Sequence, residues 1–319
     1  MIRPGSLLAL DLLRWLACLP FLGVDDLALI TGQPEPDIEL VLREMKQDGL
    51  LDSITPSSPE LGNTAVHVLS EHSRRWLSST LDEPDTRALP LARRDVVHRV
   101  ARLEATVALN VFAAGLVASL HRSADHDVAD FRALPVRRPQ DAWWPPGVLG
   151  YGCIRAANGA APFFVTVDRA GTPAAHRAAL IAAWHRFRES SQPWGHDIPP
   201  ILVMCPGPAR EDDWSRQALA SAMRRDVVPL RLLSRGVLTG NEGVSGTTWR
   251  QVHRSTRADL LEWLPVRQPE HLFLPSTPRV NVLPPASDKR ERLLHLWAKD
   301  VTTGACAATA IEQAAAISL

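Results

Sequence analysis

The sequence predicts an α+β / α/β protein, with a helical N-terminal domain followed by a mixed sheet flanked by helices. Three observations carry that expectation. Two apolar, β-rich runs, 148–156 (VLGYGCIRA) and 163–170 (FFVTVDRA), are joined through an Asn158-Gly159 turn, a connection that favours a hairpin. The segments around this hairpin run α-β-β-β-α-β-α-β from about residue 95 to 238, and their strands are continuous apolar runs, as in a sheet covered on both faces. The charge is also uneven: residues 1–82 hold 6 Arg/Lys and 12 Asp/Glu, residues 83–240 hold 20 and 15, and residues 241–319 hold 9 and 8. These stretches are read as the domains, with a linker at 82–90 (DEPDTRALP).

In order, Leu7 to Leu19 carries Leu, Ala and Trp at helical spacing. A short helix, DDLALIT, starts under an acidic cap and stops at Gly32. Pro34 to Asp37 opens a third helix whose Ile38, Val41, Leu42 and Met45 line one face, closed by Gly49. Residues 65–79 begin as a strand and become a helix. A long amphipathic helix is expected from about Asp95 to Arg122, then a strand near Phe131–Val136 and the hairpin. A helix over 174–190, a buried strand over 199–207, a capped helix over 212–226 and a last strand over 228–238 follow. Beyond Asn241 the chain is irregular and Pro-rich, with short helices at 255–265 and 288–301. The apolar stretch to Leu319 has no stop signal, which suits an early end of the reading frame or a tail that docks on a partner.

The stretches REMKQDGLLDSI and HVLSEHSRRWL resemble the winged helix-turn-helix superfamily, with His72-Ser73 where that closing motif usually carries Lys-Gly. The resemblance makes Ile38–Asp48 the recognition helix. Its outward side chains include Glu35, Asp37, Glu39, Glu44 and Asp48 against Arg43 and Lys46, and acids there repel phosphate. Arg74 and Arg75 on the closing helix are better phosphate candidates, and a role in dimerisation or protein contact stays open.

The element order after residue 95 resembles the restriction-endonuclease-like PD-(D/E)xK fold. Joined to a winged helix, and with WWPPGVLGY (143–151), FFVTVDRAGT (163–172) and an arginine-bearing helix after it, the chain is similar to the replication-relaxation family of plasmids and integrative elements. That family usually has an Asp after the proline of the entry strand and a Glu two residues before the strand's Asp. Gly147 and Thr166 stand at those positions here, so the resemblance implies Asp168 alone as a vestigial metal ligand. A lone carboxylate is a poor Mg²⁺ site. No cofactor is therefore expected, with Mg²⁺ reserved for the alternative of an active nuclease that recruits another acid such as Asp130 or Asp141.

The expected function is a DNA-associated, non-catalytic protein of a mobile element. Its partner is duplex DNA, met through Arg43, Lys46, Arg74, Arg75, Arg169, Arg177, Arg186 and Arg188. A winged-helix adaptor or regulator with a protein partner or homodimer is the remaining alternative. Of the 35 basic residues 32 are arginine, a bias that suits GC-rich coding more than function. The cysteines at 18, 153, 205 and 306 are far apart and read as buried thiols. The run 108–120 is too short to cross a bilayer, and the location expected is cytoplasmic. His121, Asp125, His126 and Asp127 gather possible ligands at a helix end, and Trp143-Trp144 suit either base stacking or packing at a sheet edge.

Overall fold

The computed structural model describes residues 7–56, 58, 61, 64–80, 93–121, 126–134, 138–140, 142–156, 159–190, 194, 197–222, 226–237, 244, 246–252 and 256–267. The linker at 82–90, the helix read at 288–301, Asp125, Asp141 and the side chain of Asp130 lie outside the described residues. The protein is mixed α+β and divides into two compact units, one within Met1–Leu103 and one within Glu104–Ser276.

The first unit contains α1 (Leu7–Cys18), α2 (Val24–Thr31), α3 (Glu35–Gln47), β1 (Leu51–Ile54), β2 (Val66–Leu69), α4 (Glu71–Thr80) and α5 (Arg93–Val100). The apolar spacing on α3 buries Ile38, Val41, Leu42 and Met45, which join Leu12, Leu16, Leu27 and Val68 in the core. Gly49, at φ +72, ends α3 in a Schellman turn: its N–H donates to Lys46 and that of Leu50 to Met45. The chain thereby turns straight into β1. β1 and β2 pair antiparallel, and Leu22 adds a single antiparallel bridge to His67 on the other edge of β2. Phe21, just before that bridge, holds φ +74, a left-handed conformation that a bulky side chain rarely adopts. It is wholly buried, and its N–H donates to the His67 carbonyl.

The second unit contains α6 (Leu103–His121), β3 (His126–Ala133), β4 (Gly150–Ala156), β5 (Gly159–Val167), α7 (Ala174–Glu189), β6 (Ile201–Cys205), α8 (Pro208–Ala222), β7 (Leu230–Ser234), β8 (Trp249–Gln251), β9 (Arg257–Ala258) and α9 (Leu260–Trp263). The strands form one sheet in chain order. β3, β4 and β5 are antiparallel, β5, β6 and β7 parallel, and β7, β8 and β9 antiparallel. Adjacent β5 residues face opposite ways. Phe163 meets Phe112 of α6 edge-on at 6.1 Å, whereas Phe164 joins Trp143, Tyr151 and Trp194. On that second face Trp184 of α7 stacks on Trp214 of α8, with centroids 5.6 Å apart. Helices thus cover both faces, which accounts for strands that read as unbroken apolar runs.

Several expectations change. The helix expected from 95 to 122 is broken: the Arg102 N–H donates to Arg99, tightening and closing α5 before α6 begins, with neither Gly nor Pro to signal it. β3 begins five residues before the expected start at Phe131. The stretch beyond 241, read as irregular, contributes β8 and β9. Because α6 reaches back to Leu103, it is long and apolar enough to cross a membrane, unlike the 108–120 run alone, although 78% of that window is buried in the fold.

At the start of α2 the Asp26 carboxylate accepts from the Gly23 N–H at 3.0 Å. Burial pushes its carboxyl up to about 6, against the Gly23 hydrogen bond, and Asp25 raises it further. A carboxyl raised in the folded state favours folding at low pH, and that contribution is lost as pH rises through about 6. Asp26→Asn, which keeps an acceptor for Gly23, is expected to exceed wild-type stability by about 1 kcal/mol at pH 7.5 and to match it near pH 4. Chemical denaturation at both pH values checks this, and a pH-independent difference contradicts it.

Candidate functional site

Because β5, β6 and β7 are parallel, their carboxyl ends lie side by side, where open α/β sheets commonly place ligands. Asp168 follows β5, Cys205 ends β6 and Ser234 ends β7. Helix α8 starts at Pro208, directly after Gly207, and brings Arg210, Glu211 and Trp214 to these three ends. Trp214 Nε1 donates to Asp168 Oδ2 at 2.8 Å, and Arg210 Nε stands 3.7 Å from the same oxygen. Glu211, also fully buried, accepts from Ser234 through Oε1 and from Arg257 through Oε2 at 2.6 Å.

The Asp168 side chain is fully buried, and its Oδ1 has no partner of hydrogen-bond geometry. Burial pushes this carboxyl up, while Trp214, Thr172, Arg210 and Arg235 pull it down. Burial likewise raises the Cys205 thiol, helped by the charges of Asp168 and Glu211, so it stays protonated and unreactive.

The turn after Asp168 is held from both helices. The Ala170 carbonyl accepts from Arg210 at 2.7 Å, and the Thr172 carbonyl accepts from Arg210 at 3.0 Å and Arg177 at 2.7 Å. Inside the turn, Thr172 N–H donates to the Arg169 carbonyl and Arg169 N–H to Thr172 Oγ1. Arg169 points outward, half exposed, and pairs with Glu104 in the first turn of α6.

Thr166 and Asp168 share a strand face, as a period of two requires. The Thr166 hydroxyl donates to the Gly147 carbonyl at 3.0 Å, so two positions where the resemblance implies acids are joined to each other. Gly147 holds φ +75, and a Cβ there would stand 2.5 Å from Leu180 Cδ2. A donated hydroxyl, a peptide carbonyl and one carboxylate already facing Trp214 and Arg210 do not make the oxygen set a hard divalent cation needs. Among the described residues, no group of three His, Cys, Asp or Glu side chains is placed to hold a metal.

The arginines read as phosphate contacts fall into different surroundings. Arg43 and Lys46 are exposed on α3, Arg75 is exposed and pairs with Glu71, and Arg74 is half-buried with its Nε donating to Leu69 at 3.2 Å. Arg186 is exposed on α7. Arg188 is half-buried and donates to the Asp226 and Val227 carbonyls at 3.2 and 3.4 Å. Arg177 is turned inside, 2% exposed, between Thr172 and Asp213, which removes it from any surface for a polyanion. Trp143 and Trp144 pack edge-to-face at 5.2 Å, and Trp143 also meets Tyr151 at 5.1 Å, so the pair belongs to the sheet's aromatic core.

Sequence reading missed Arg210, Glu211, Trp214 and Arg257 as partners of this site. A helix start at Asp212 left Arg210 and Glu211 outside it, although Gly207-Pro208 carried the usual signal of proline at a first helical position. No family model, no curated protein and no solved structure matches this chain.

Two outcomes follow from this geometry. Trp214→Phe leaves a buried carboxylate oxygen without its N–H donor and is expected to cost about 2 kcal/mol of stability in chemical denaturation; a loss under about 0.5 kcal/mol would remove this bond from the account. Gly147→Ala meets both the left-handed backbone and Leu180, and is expected to cost about 1–3 kcal/mol, whereas wild-type stability would overturn the steric argument.

Proposed function

We propose that this chain is a duplex-DNA-associated protein that does not hydrolyse phosphodiesters. Its first unit is read as a winged helix-turn-helix and its second as a nuclease-like domain, the pairing of the replication-relaxation family of plasmids and integrative elements, with Gly147 and Thr166 where that family usually carries acids. The observation that carries the reading is Asp168: its carboxyl is buried beneath Trp214 and Arg210, and the two neighbouring positions that would supply further acids are a threonine and a left-handed glycine bonded to each other.

The winged-helix reading is supported by three helices, the antiparallel β1–β2 pair and a closing helix, in that chain order, with Leu22 between the first two helices bridging to His67 of β2. The nuclease-like reading is supported by the order α6-β3-β4-β5-α7-β6-α8-β7. DNA association is supported by the excess of basic residues in 83–240 and by the exposure of Arg169 and Arg186.

A second reading, a winged helix for protein contact, is favoured by α3. Glu35, Asp37 and Glu39 are exposed there and Leu40 is 48% exposed, a combination that repels phosphate and leaves apolar surface uncovered. Arg43→Ala/Lys46→Ala separates the two: a shallower salt slope in duplex binding assigns α3 to DNA, and unchanged affinity and slope take α3 out of the DNA interface.

Two measurements test the main reading. Purified protein with Mg²⁺ or Mn²⁺ is expected to leave supercoiled plasmid intact, and metal-dependent nicking abolished by Asp168→Ala would sink it. Binding to a 20-base-pair duplex is expected to weaken with salt, and Arg186→Ala to reduce the log–log slope by about 0.9; unchanged affinity and slope take α7 out of the interface.

A further inference from the structure

We propose that Glu104 is an electrostatic gate on Arg169: the carboxylate occupies the guanidinium in the free protein and a DNA phosphate displaces it on binding. The inference rests on the DNA-associated reading above and adds to it a regulating pair and the residues that position it.

The geometry is specific to Arg169. Its turn is fixed at four points, with the Ala170 carbonyl held by Arg210, the Thr172 carbonyl by Arg210 and Arg177, and the Arg169 N–H and carbonyl by Thr172. Arg177 is fully enclosed and Arg210 is mostly so, with 3% and 21% of their side chains exposed, so neither guanidinium is presented to a ligand. They are positioning residues that hold the backbone from which Arg169 projects. The Arg169 side chain keeps 51% of its surface exposed while pairing with Glu104, which is 20% exposed. Among the described residues, a polyanion therefore reaches this guanidinium in competition with the Glu104 carboxylate.

Removing that carboxylate does two things. It frees the donors of a guanidinium suited to bidentate phosphate contact. It also removes a negative charge that repels the incoming phosphate. The pair is open on its arginine side, where a phosphate can compete for the guanidinium, and its loss is expected to change affinity by about two- to fivefold. With Glu104 present, Arg169 is already neutralised and releases fewer counterions when DNA binds. Without it, the log–log salt slope is expected to steepen by up to about 0.9.

The experiment uses the full chain, a 20-base-pair duplex and binding curves across a salt series, for wild type, Glu104→Gln, Arg169→Ala and the double variant, each checked for fold by circular dichroism and thermal melting. Glu104→Gln is expected to bind more tightly with a steeper slope, Arg169→Ala more weakly with a shallower one, and the Glu104 effect is expected to vanish in the Arg169→Ala background. Glu104→Asp, which keeps the charge on a shorter arm, guards against a helix-start defect and is expected to stay near wild type. Wild-type binding that Glu104→Gln leaves unchanged, or an equal gain in the Arg169→Ala background, overturns the gate and leaves DNA association standing. Absence of duplex binding by every variant overturns both.

Discussion

Much of the second unit depends on one constraint: two carboxylates lie buried where three parallel strands end, and each must find its partners on or beside a single helix. α8 meets it by setting Arg210 and Trp214, four residues apart on one face, over Asp168, while Glu211 turns toward Ser234 and Arg257. A buried ion pair gives little net stability, yet breaking one partner away is costly. The helix is therefore fixed in place less by attraction than by the penalty for leaving. Trp214 serves twice, since its ring also stacks on Trp184 and ties α8 to α7.

The same logic governs the arginines. Their planar fork suits peptide carbonyls, and Arg138, Arg177, Arg188, Arg210 and Arg231 all donate to backbone oxygens in loops or at strand and helix ends. Those guanidiniums stitch irregular backbone that has no ladder of its own. Net charge over a stretch of sequence consequently overstates the charge offered to a ligand, and Arg177 shows the gap most clearly.

The helices and parallel strands were legible because their signals are local. The Ile38, Val41, Leu42, Met45 stripe fixed the buried face of α3, and the Asn158-Gly159 signal marked the hairpin, although Gly159 itself opens β5 opposite Ala156, four residues before the run read at 163. The break between α5 and α6 was not, because a tightened last turn at Arg102 involves neither Gly nor Pro. Strands β8 and β9, of three and two residues, are too short for periodicity and exist only because β7 offers an edge to pair with. At the site, Asp168 was picked out, with the non-acidic Gly147 and Thr166, through the resemblance to a family pattern. Its lid could not be read in this way, since the contact with Trp214 spans 46 residues and depends on how α8 lies over the sheet.

Gly147 has a consequence for how the sequence can change over time. Its left-handed backbone and the Leu180 methyl that fills the space of a side chain form a ratchet. Any side chain introduced there by one codon change meets both obstacles, so the single step is disfavoured on folding grounds alone. Accommodating one would need Leu180 to shrink and the turn at Gly147, whose carbonyl Thr166 holds, to reset. Substitution is thus steered away from this turn and toward the domain's surface.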